Sequence, residues 1–237
     1  IRNHHWLEFS MGDGFDTASD PRNSNIGYTM SQFGGFSRFN LETGSIKLIK
    51  PQTNDVDVPL RFNWSAGFAL SPHNPDVVYY GSQYIHKSTN RGDSWTTISG
   101  DLTTDDVEKR KRVEGMETMP HTTIISIAPS PLDENIIWVG TDDGRVHVTR
   151  DGGVSWESIE ARAKARGLNK GAWVPMIDPS PHDVGTAFIV MEDHRRSNMN
   201  PYLFRVEKFG KKWRNIIDDD VKGYALSVKQ DHIDPDL

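Results

Sequence analysis

Short runs of β-branched and aromatic residues recur along the chain, each after a turn that contains proline. Ser71-Pro72 precedes the run at 77–81, and Ser130-Pro131 precedes the run at 136–140. The same arrangement occurs at Asp20-Pro21 and Ser180-Pro181, and Asp234-Pro235 resembles a fifth turn of this kind. Successive prolines lie 50 to 59 residues apart, a spacing that suits a unit of four strands better than a helical repeat.

The third repeat shows how one unit divides into four strands, which we label A to D. Apolar runs predict strand A at 123–128, strand B at 136–140 and strand C at 146–149, and Trp156 begins strand D. Asp142-Asp143-Gly144 is predicted to form the hairpin turn between strands B and C. The sequence therefore predicts an all-β fold, a partial β-propeller of about four blades with four antiparallel strands each.

The repeats also predict the domain organisation. We expect a single domain over residues 1–237, with blades at 12–62, 63–120, 121–172 and 173–222 and the start of a further blade at 223–237. Because a propeller needs about four to eight complete blades to close, we expect this chain to be a segment of a larger propeller. Further blades of the same chain would then be its partners.

A second repeated pattern joins strands C and D. The spacing Ser/Thr-x-Asp-x-Gly-x-x-Trp occurs once in full, at Thr149, Asp151, Gly153 and Trp156. It recurs with Asn in place of Asp at Ser88, Asn90, Gly92 and Trp95, and in reduced form at Gly210 and Trp213. An Asp or Asn oxygen can accept bonds from turn amides, Gly tolerates positive φ, and Trp adds apolar area. This chemistry favours a structural role for these residues over a catalytic one.

These turns resemble the Asp-box, or BNR repeat, of bacterial secreted β-propellers, a group that includes sortilin-like domains and proteins described as glycosyl hydrolases. Further segments match the same group, at residues 12–15, 35–44, 61–64, 100–104 and 127–156. The resemblance implies an exported protein, extracellular or periplasmic. It leaves two functions open, because sortilin-type propellers bind peptides and proteins whereas xyloglucanases of similar architecture cleave glycosides.

Composition excludes several classes of function. A net charge of −6 and a pI near 5.8 argue against nucleic acid as a partner, because phosphate binding needs a basic face. The basic run at 109–112 lies between acidic residues and is predicted as a solvated loop. No apolar stretch is long enough to span a membrane, and the chain has no cysteine for a disulfide, a thiolate ligand or a nucleophile.

No metal or other cofactor is predicted. His4 and His5 are adjacent and His121 stands alone, and none has a carboxylate or second histidine at a convincing ligand spacing.

Because successive strands of a blade run in opposite directions, the B–C hairpins and the D–A connections lie on one face. The A–B and C–D turns lie on the opposite face. The face with the B–C hairpins carries the long loops, at residues 11–18, 52–64, 100–121, 160–173 and 192–201. Since long loops on a rigid scaffold commonly carry binding and chemistry, we expect function there.

Two groups of side chains on this face are candidates for binding. His194, Arg195 and Arg196 could clamp a carboxylate or a sugar, or could belong to a solvated or blade-locking loop. Trp64 and Trp173 begin A strands and could offer stacking platforms, although tryptophans also serve to pack blades together.

Catalysis is the alternative function. An inverting glycosidase needs two carboxylates about 6.5 to 9.5 Å apart, and Asp13 with Asp142 or Asp143 could supply them. Acidic residues in such turns also act simply as turn formers. We therefore predict a non-catalytic, sortilin-like module that binds a protein, peptide or glycan through the long-loop face, with glycoside hydrolysis as the alternative.

Overall fold

The structure, a computed structural model, describes residues 2, 8, 11–53, 57–110, 121–218 and 220–237. Its strands form four antiparallel sheets of four, and each sheet is built from consecutive strands in chain order. We refer to these sheets as the first to fourth blades. The predicted all-β architecture is confirmed.

The strand bounds follow the predicted A to D order in every blade. The first blade contains β1 to β4, at Gly14–Asp20, Asn23–Ser31, Gly35–Asn40 and Ser45–Leu48. The second blade contains β5 to β8, at Phe68–Leu70, Val78–Gly81, Ile85–Ser88 and Thr96–Thr97. The third blade contains β9 to β12, at Ile124–Pro129, Ile137–Thr141, Val146–Thr149 and Glu157–Ser158. The fourth blade contains β13 to β16, at Trp173–Pro179, Ala187–Asp193, Asn198–Glu207 and Lys212–Asn215.

Helical structure in the described residues is short. A single turn of α-helix, α1, covers Val107–Arg110, and 3-10 turns cover Gln32–Gly34, Glu160–Arg162 and His194–Arg196. The basic run predicted as loop thus begins inside α1, whereas Lys111 and Arg112 lie outside the described residues, as do His4 and His5. None of the helices in the described ranges is long and apolar enough to cross a membrane.

Parts of the predicted long loops form strands in the structure. β1 begins at Gly14, inside the loop predicted at 11–18. In the loop predicted at 192–201, Asp193 pairs with Asn198, so that β14 and β15 extend beyond their apolar runs. The ladder is made by backbone groups, and it therefore continues through polar residues that the hydrophobic pattern assigns to loops.

The hydrophobic core lies between consecutive blades. In β6, Val78 and Tyr80 pack toward the first blade, whereas Tyr79 packs toward the third. In β10, Val139 packs toward the second blade and Trp138 toward the fourth. Successive side chains of a strand point to opposite faces, so a strand between two neighbours is buried on both sides. The inner strands are accordingly continuous apolar runs.

The C–D turn of the third blade is closed by side chains of the repeated pattern. Thr149 Oγ1 donates to Asp151 Oδ1 at 2.8 Å and accepts from the Gly153 amide at 3.0 Å. The Ser155 amide donates to Asp151 Oδ1 at 2.9 Å. Hydrogen bonds from the side chain and amide of Ser155 and from Thr149 lower the pKa of Asp151 to about 2.

The equivalent turn of the second blade keeps this geometry with an amide in place of the carboxylate. Asn90 Oδ1 accepts from the Ser94 amide at 2.9 Å, and Ser88 Oγ accepts from the Gly92 amide at 2.8 Å. The reduced third copy has Gly210 at a φ of +93°, and the Trp213 indole donates to the Gly210 carbonyl at 3.1 Å.

These turns also hold each blade against the one before it. The indole of Trp156 donates to the Ile98 carbonyl at 2.9 Å, and the indole of Trp95 donates to the Ile49 carbonyl at 2.7 Å. A Cβ at Gly153 would lie 2.8 Å from Ile98 Cδ1, so the absence of a side chain permits this approach. The turn residues therefore fix the scaffold on the side opposite to the long loops.

Candidate functional site

The B–C hairpin of the fourth blade and the connection that leads into it enclose a small cavity of about 200 Å³ on the long-loop face. Its lining consists of Lys109, His121, Gly171, Trp173, Glu192, Asp193, Arg195 and Arg196. We call it the loop-face cavity. It brings together three of the predicted binding residues, Trp173, Arg195 and Arg196.

Arg195 covers the indole of Trp173. Its guanidinium carbon lies 3.7 Å from the ring centroid, and its Nη1 pairs with the buried carboxylate of Glu192. Stacking and ion pairing together fix the plane of the guanidinium. One face of Trp173 is therefore occupied by the protein itself, and the site differs from the open stacking platform predicted for this residue.

Arg196 ties the hairpin to the preceding connection. Its Nε pairs with Asp193, and its Nη1 donates to the Lys170 carbonyl at 3.0 Å. Asn169 Nδ2 donates to the same Asp193 carboxylate at 2.6 Å. The two arginines are thus held at fixed positions, while their side chains remain 46% and 45% exposed.

His194 lies beside the cavity without contributing to its lining. Its Nδ1 pairs with Glu192, and its ring stacks on Tyr224 with the centroids 4.4 Å apart. These contacts join the hairpin to the segment that follows the fourth blade. His194 supports the position of Glu192, which in turn holds Arg195.

Asp142 and Asp143 are enclosed by the protein. Asp142 Oδ1 accepts from the Thr123 amide at 2.9 Å, and its Oδ2 accepts from Thr123 Oγ1 at 2.7 Å and from Asn63 Nδ2 at 2.9 Å. Asp143 accepts from the amide and hydroxyl of Thr104 at 2.7 and 2.6 Å, and from Thr141 Oγ1 at 2.5 Å. Both carboxylates join neighbouring loops on the long-loop face.

Asp13 and Trp64 lie outside the loop-face cavity. Asp13 is exposed, and its amide donates to Gln32 Oε1 at 2.7 Å. Trp64 packs edge-on against Phe33 with the ring centroids 4.7 Å apart. The structure therefore places these two predicted residues beside the B–C hairpin of the first blade, and neither lines the loop-face cavity.

A second cavity of about 450 Å³ adjoins the first, and we call it the connection cavity. Both cavities have Gly171 in their lining, and the connection cavity is also lined by Arg145, Glu160, Leu168, Lys170 and Met191. Burial would raise the pKa of Glu160, but hydrogen bonds from Arg145 and Ser158 outweigh this effect and hold the pKa below its usual value. Glu160 is accordingly charged at neutral pH.

Several residues of this region were not predicted as site residues from sequence. His121 and Lys109 belong to the cavity lining, and His121 Nδ1 lies 3.5 Å from Asp142 Oδ2. Glu192 and Asp193 fall within the predicted charged loop, yet their role as anchors for the arginines depends on the hairpin geometry. Among the described residues, no group of three or more His, Asp or Glu side chains is arranged to hold a metal ion.

Comparison with known proteins identifies the architecture. No family model matches the chain. An oligoxyloglucan-reducing-end-specific xyloglucanase from Emericella nidulans is 24% identical over 193 residues, which cover 78% of this chain and 23% of that protein. The GH74 enzyme of Niastella koreensis superposes with a TM-score of 0.57 at 18% identity, over 88% of this chain and 30% of its own. The Dos1 propeller superposes with a TM-score of 0.54 at 13% identity, over 83% of this chain and 46% of its own.

This chain forms a partial β-propeller. Its four antiparallel sheets have the strand order of propeller blades, and the structures it resembles include propellers, so the predicted fold class is confirmed. The detectable sequence similarity is to a glycoside hydrolase, so the fold is that of a glycoside-hydrolase-like propeller. The chain spans less than half the length of each of these proteins.

Proposed function

We propose that this chain contributes to an exported, non-catalytic β-propeller that binds a carbohydrate through the loop-face cavity. This proposal rests on the burial and pairing of the acidic side chains on the B–C hairpins of the third and fourth blades. Asp142, Asp143, Glu192 and Asp193 are each at most 3% exposed, and each accepts hydrogen bonds or ion pairs from the protein. A general acid or base must reach a substrate oxygen or a water, and these carboxylates are enclosed.

The lining of the cavity supports a saccharide as the ligand. Apart from Gly171, every lining residue has a side chain with a charged or hydrogen-bonding group. A sugar ring presents several hydroxyls that need such partners when they leave water. The sequence similarity to a xyloglucanase supports the same ligand class. A peptide or protein ligand is the competing outcome of the test below.

We also propose that the C–D turns are Asp-boxes and that the module is sortilin-like. The turn at 149–156 supports the Asp-box assignment, because Thr149 and Asp151 close it through hydrogen bonds to and from their side chains. In this proposal the C–D turns hold the blades together, and the opposite face binds the ligand. Further blades in the whole protein complete the ring.

Glycoside hydrolysis is the second candidate, and the similarity to the xyloglucanase favours it. Asp13 is the exposed member of the predicted acidic set. Because this chain spans 23% of that enzyme, a second carboxylate at a suitable distance would come from another part of the whole protein.

A glycan array followed by an assay for new reducing ends tests this proposal. The whole protein is applied to neutral and acidic oligosaccharides, and every saccharide that binds is then incubated with it. We expect saturable binding without release of reducing ends. Release that disappears in an Asp13→Asn variant would replace the proposal with hydrolysis, and failure to bind any saccharide would overturn it.

A further inference from the structure

We infer that the loop-face cavity is specific for an acidic sugar, a uronic acid residue whose carboxylate is bound by Arg195 and Arg196. This inference rests on the proposed carbohydrate binding and names its ligand class. It follows from the charge of the cavity, the fixed orientation of its two arginines, and the guanidinium N–H groups that can bind a ligand.

The charge around the cavity is opposite to that of the whole chain. The chain carries a net charge of −6. In the loop-face cavity, the basic side chains of Lys109, Arg195 and Arg196 face the acidic side chains of Glu192 and Asp193. The connection cavity adds Arg145 and Lys170 against Glu160. Basic groups outnumber acidic ones in both linings, which favours an anionic ligand at this place on an acidic protein.

The two guanidinium groups are oriented before any ligand arrives. Among the described residues, the hydrogen bonding of the Arg195 guanidinium is limited to Nη1 and Glu192, while Trp173 lies under its plane. Within the described part of the chain, Arg196 uses Nε and Nη1 for Asp193 and the Lys170 carbonyl, which leaves Nη2. The buried carboxylates of Glu192 and Asp193 hold both guanidinium groups in place, so little conformational entropy is lost when the remaining N–H groups bind a ligand carboxylate.

A neutral sugar fits this cavity less well than an acidic one. Neutral sugars commonly gain affinity by packing against an aromatic face, but Arg195 covers one face of Trp173 and Trp64 contacts Phe33 elsewhere. A hydroxyl would give each guanidinium a single neutral acceptor, whereas a carboxylate offers two negatively charged oxygens whose geometry matches the guanidinium.

An acidic peptide side chain also fits less well. It offers a carboxylate and an aliphatic stem, and the stem would lie among Lys109, His121 and the two carboxylates of the lining. Polar groups that lose water without a new partner cost about 1 to 3 kcal/mol each. The ring hydroxyls of a uronic acid can accept from Lys109 and form hydrogen bonds with His121, which gives both of these polar groups a new partner.

Isothermal titration calorimetry of the whole protein tests this inference with three probes. These are trigalacturonic acid, the matched neutral galactotriose and triglutamate. The variants are Arg195→Gln, Arg196→Gln and the conservative Arg195→Lys. Arg214→Gln is the control, because Arg214 is exposed on β16 and lines neither cavity. Thermal unfolding of each variant shows whether the loss of an arginine has disturbed the fold.

We expect trigalacturonic acid to bind and galactotriose to bind at least about tenfold more weakly. Each Arg→Gln change should weaken trigalacturonic acid about tenfold or more, Arg195→Lys should lie between, and Arg214→Gln should match the parent. Equal binding of galactotriose would overturn the acidic specificity while leaving carbohydrate binding intact. Preference for triglutamate would overturn both the inference and the proposed function, and no binding of any probe by a folded protein would overturn the inference.

Discussion

The side-chain amide of Asn63 donates a 2.9 Å hydrogen bond to Asp142, 79 residues later in the chain and one blade further on. Thr123 donates to the same carboxylate through its amide and its hydroxyl. Asp142 therefore connects the loop that enters the second blade to the start of strand β9 and the B–C hairpin of the third blade.

Replacing Asp142 with alanine should destabilise the fold. The change leaves three buried donors, on Asn63 and Thr123, without their acceptor, and we expect a loss of about 3 kcal/mol or more in the free energy of unfolding. Asp13→Ala is the control, because Asp13 is exposed and its replacement should change stability by less than about 0.5 kcal/mol. Urea unfolding measures both, and parental stability of Asp142→Ala would contradict the structural role.

Gly153 should resist substitution more strongly than Gly44. Both have positive φ, at +103° and +68°, but a Cβ on Gly153 would contact Ile98 whereas Gly44 has open space around it. Gly44→Ala should cost about 1 to 2 kcal/mol from backbone conformation alone. Gly153→Ala should cost about 1 to 3 kcal/mol more through overpacking. Equal losses in thermal unfolding would show that the Gly153 contact with Ile98 does not limit the approach of the blades.

Asp151 should contribute to acid sensitivity below pH 4. Its pKa is lowered from 3.8 to about 2 in the folded protein, so the unfolded chain takes up a proton first as the pH falls. The stability that Asp151 provides is present above pH 4 and is lost as the pH falls toward 2. Asp151→Asn should fold, because Asn90 closes the equivalent turn, and should show a flatter pH dependence in this window. An unchanged slope in urea unfolding would argue against the Asp151 contacts.

His86 should reduce stability in a separate window, between pH 6.5 and 4. Burial lowers its pKa from 6.5 to about 4, while its Nε2 lies 2.8 Å from Ser82 Oγ. The unfolded chain is protonated first as the pH falls, so the folded state loses on the order of 3 kcal/mol across this range. His86→Gln should remove most of that slope, and burial of His147, whose pKa is also lowered, should leave a residual part. An equally steep slope in the variant would contradict this account.

Local chemistry made much of the scaffold predictable. The Asp-Gly hairpin at 142–144 and the turn that leads to Trp156 depend on residues within a few positions of one another, and the alternation within β10 follows from burial on both faces. The sequence also indicated which side of the blades would carry the long loops.

The candidate site was less predictable because its interactions join distant loops. Nothing near Asp142 indicates that Asn63 will reach it, and nothing near Trp173 indicates that Arg195 will cover its ring. The loop at 192–201 was predictable, yet the separation into buried carboxylates and exposed guanidinium groups depends on how the hairpin folds back. The ion pairs within this hairpin decide which charges a ligand can reach.

A crystal structure of the whole protein with trigalacturonic acid would show where and how the saccharide binds. We expect an intact saccharide in the loop-face cavity, with one carboxylate bound by Arg195 and Arg196. A cleaved saccharide, or one bound on the opposite face near Asp151 and Trp156, would contradict this expectation.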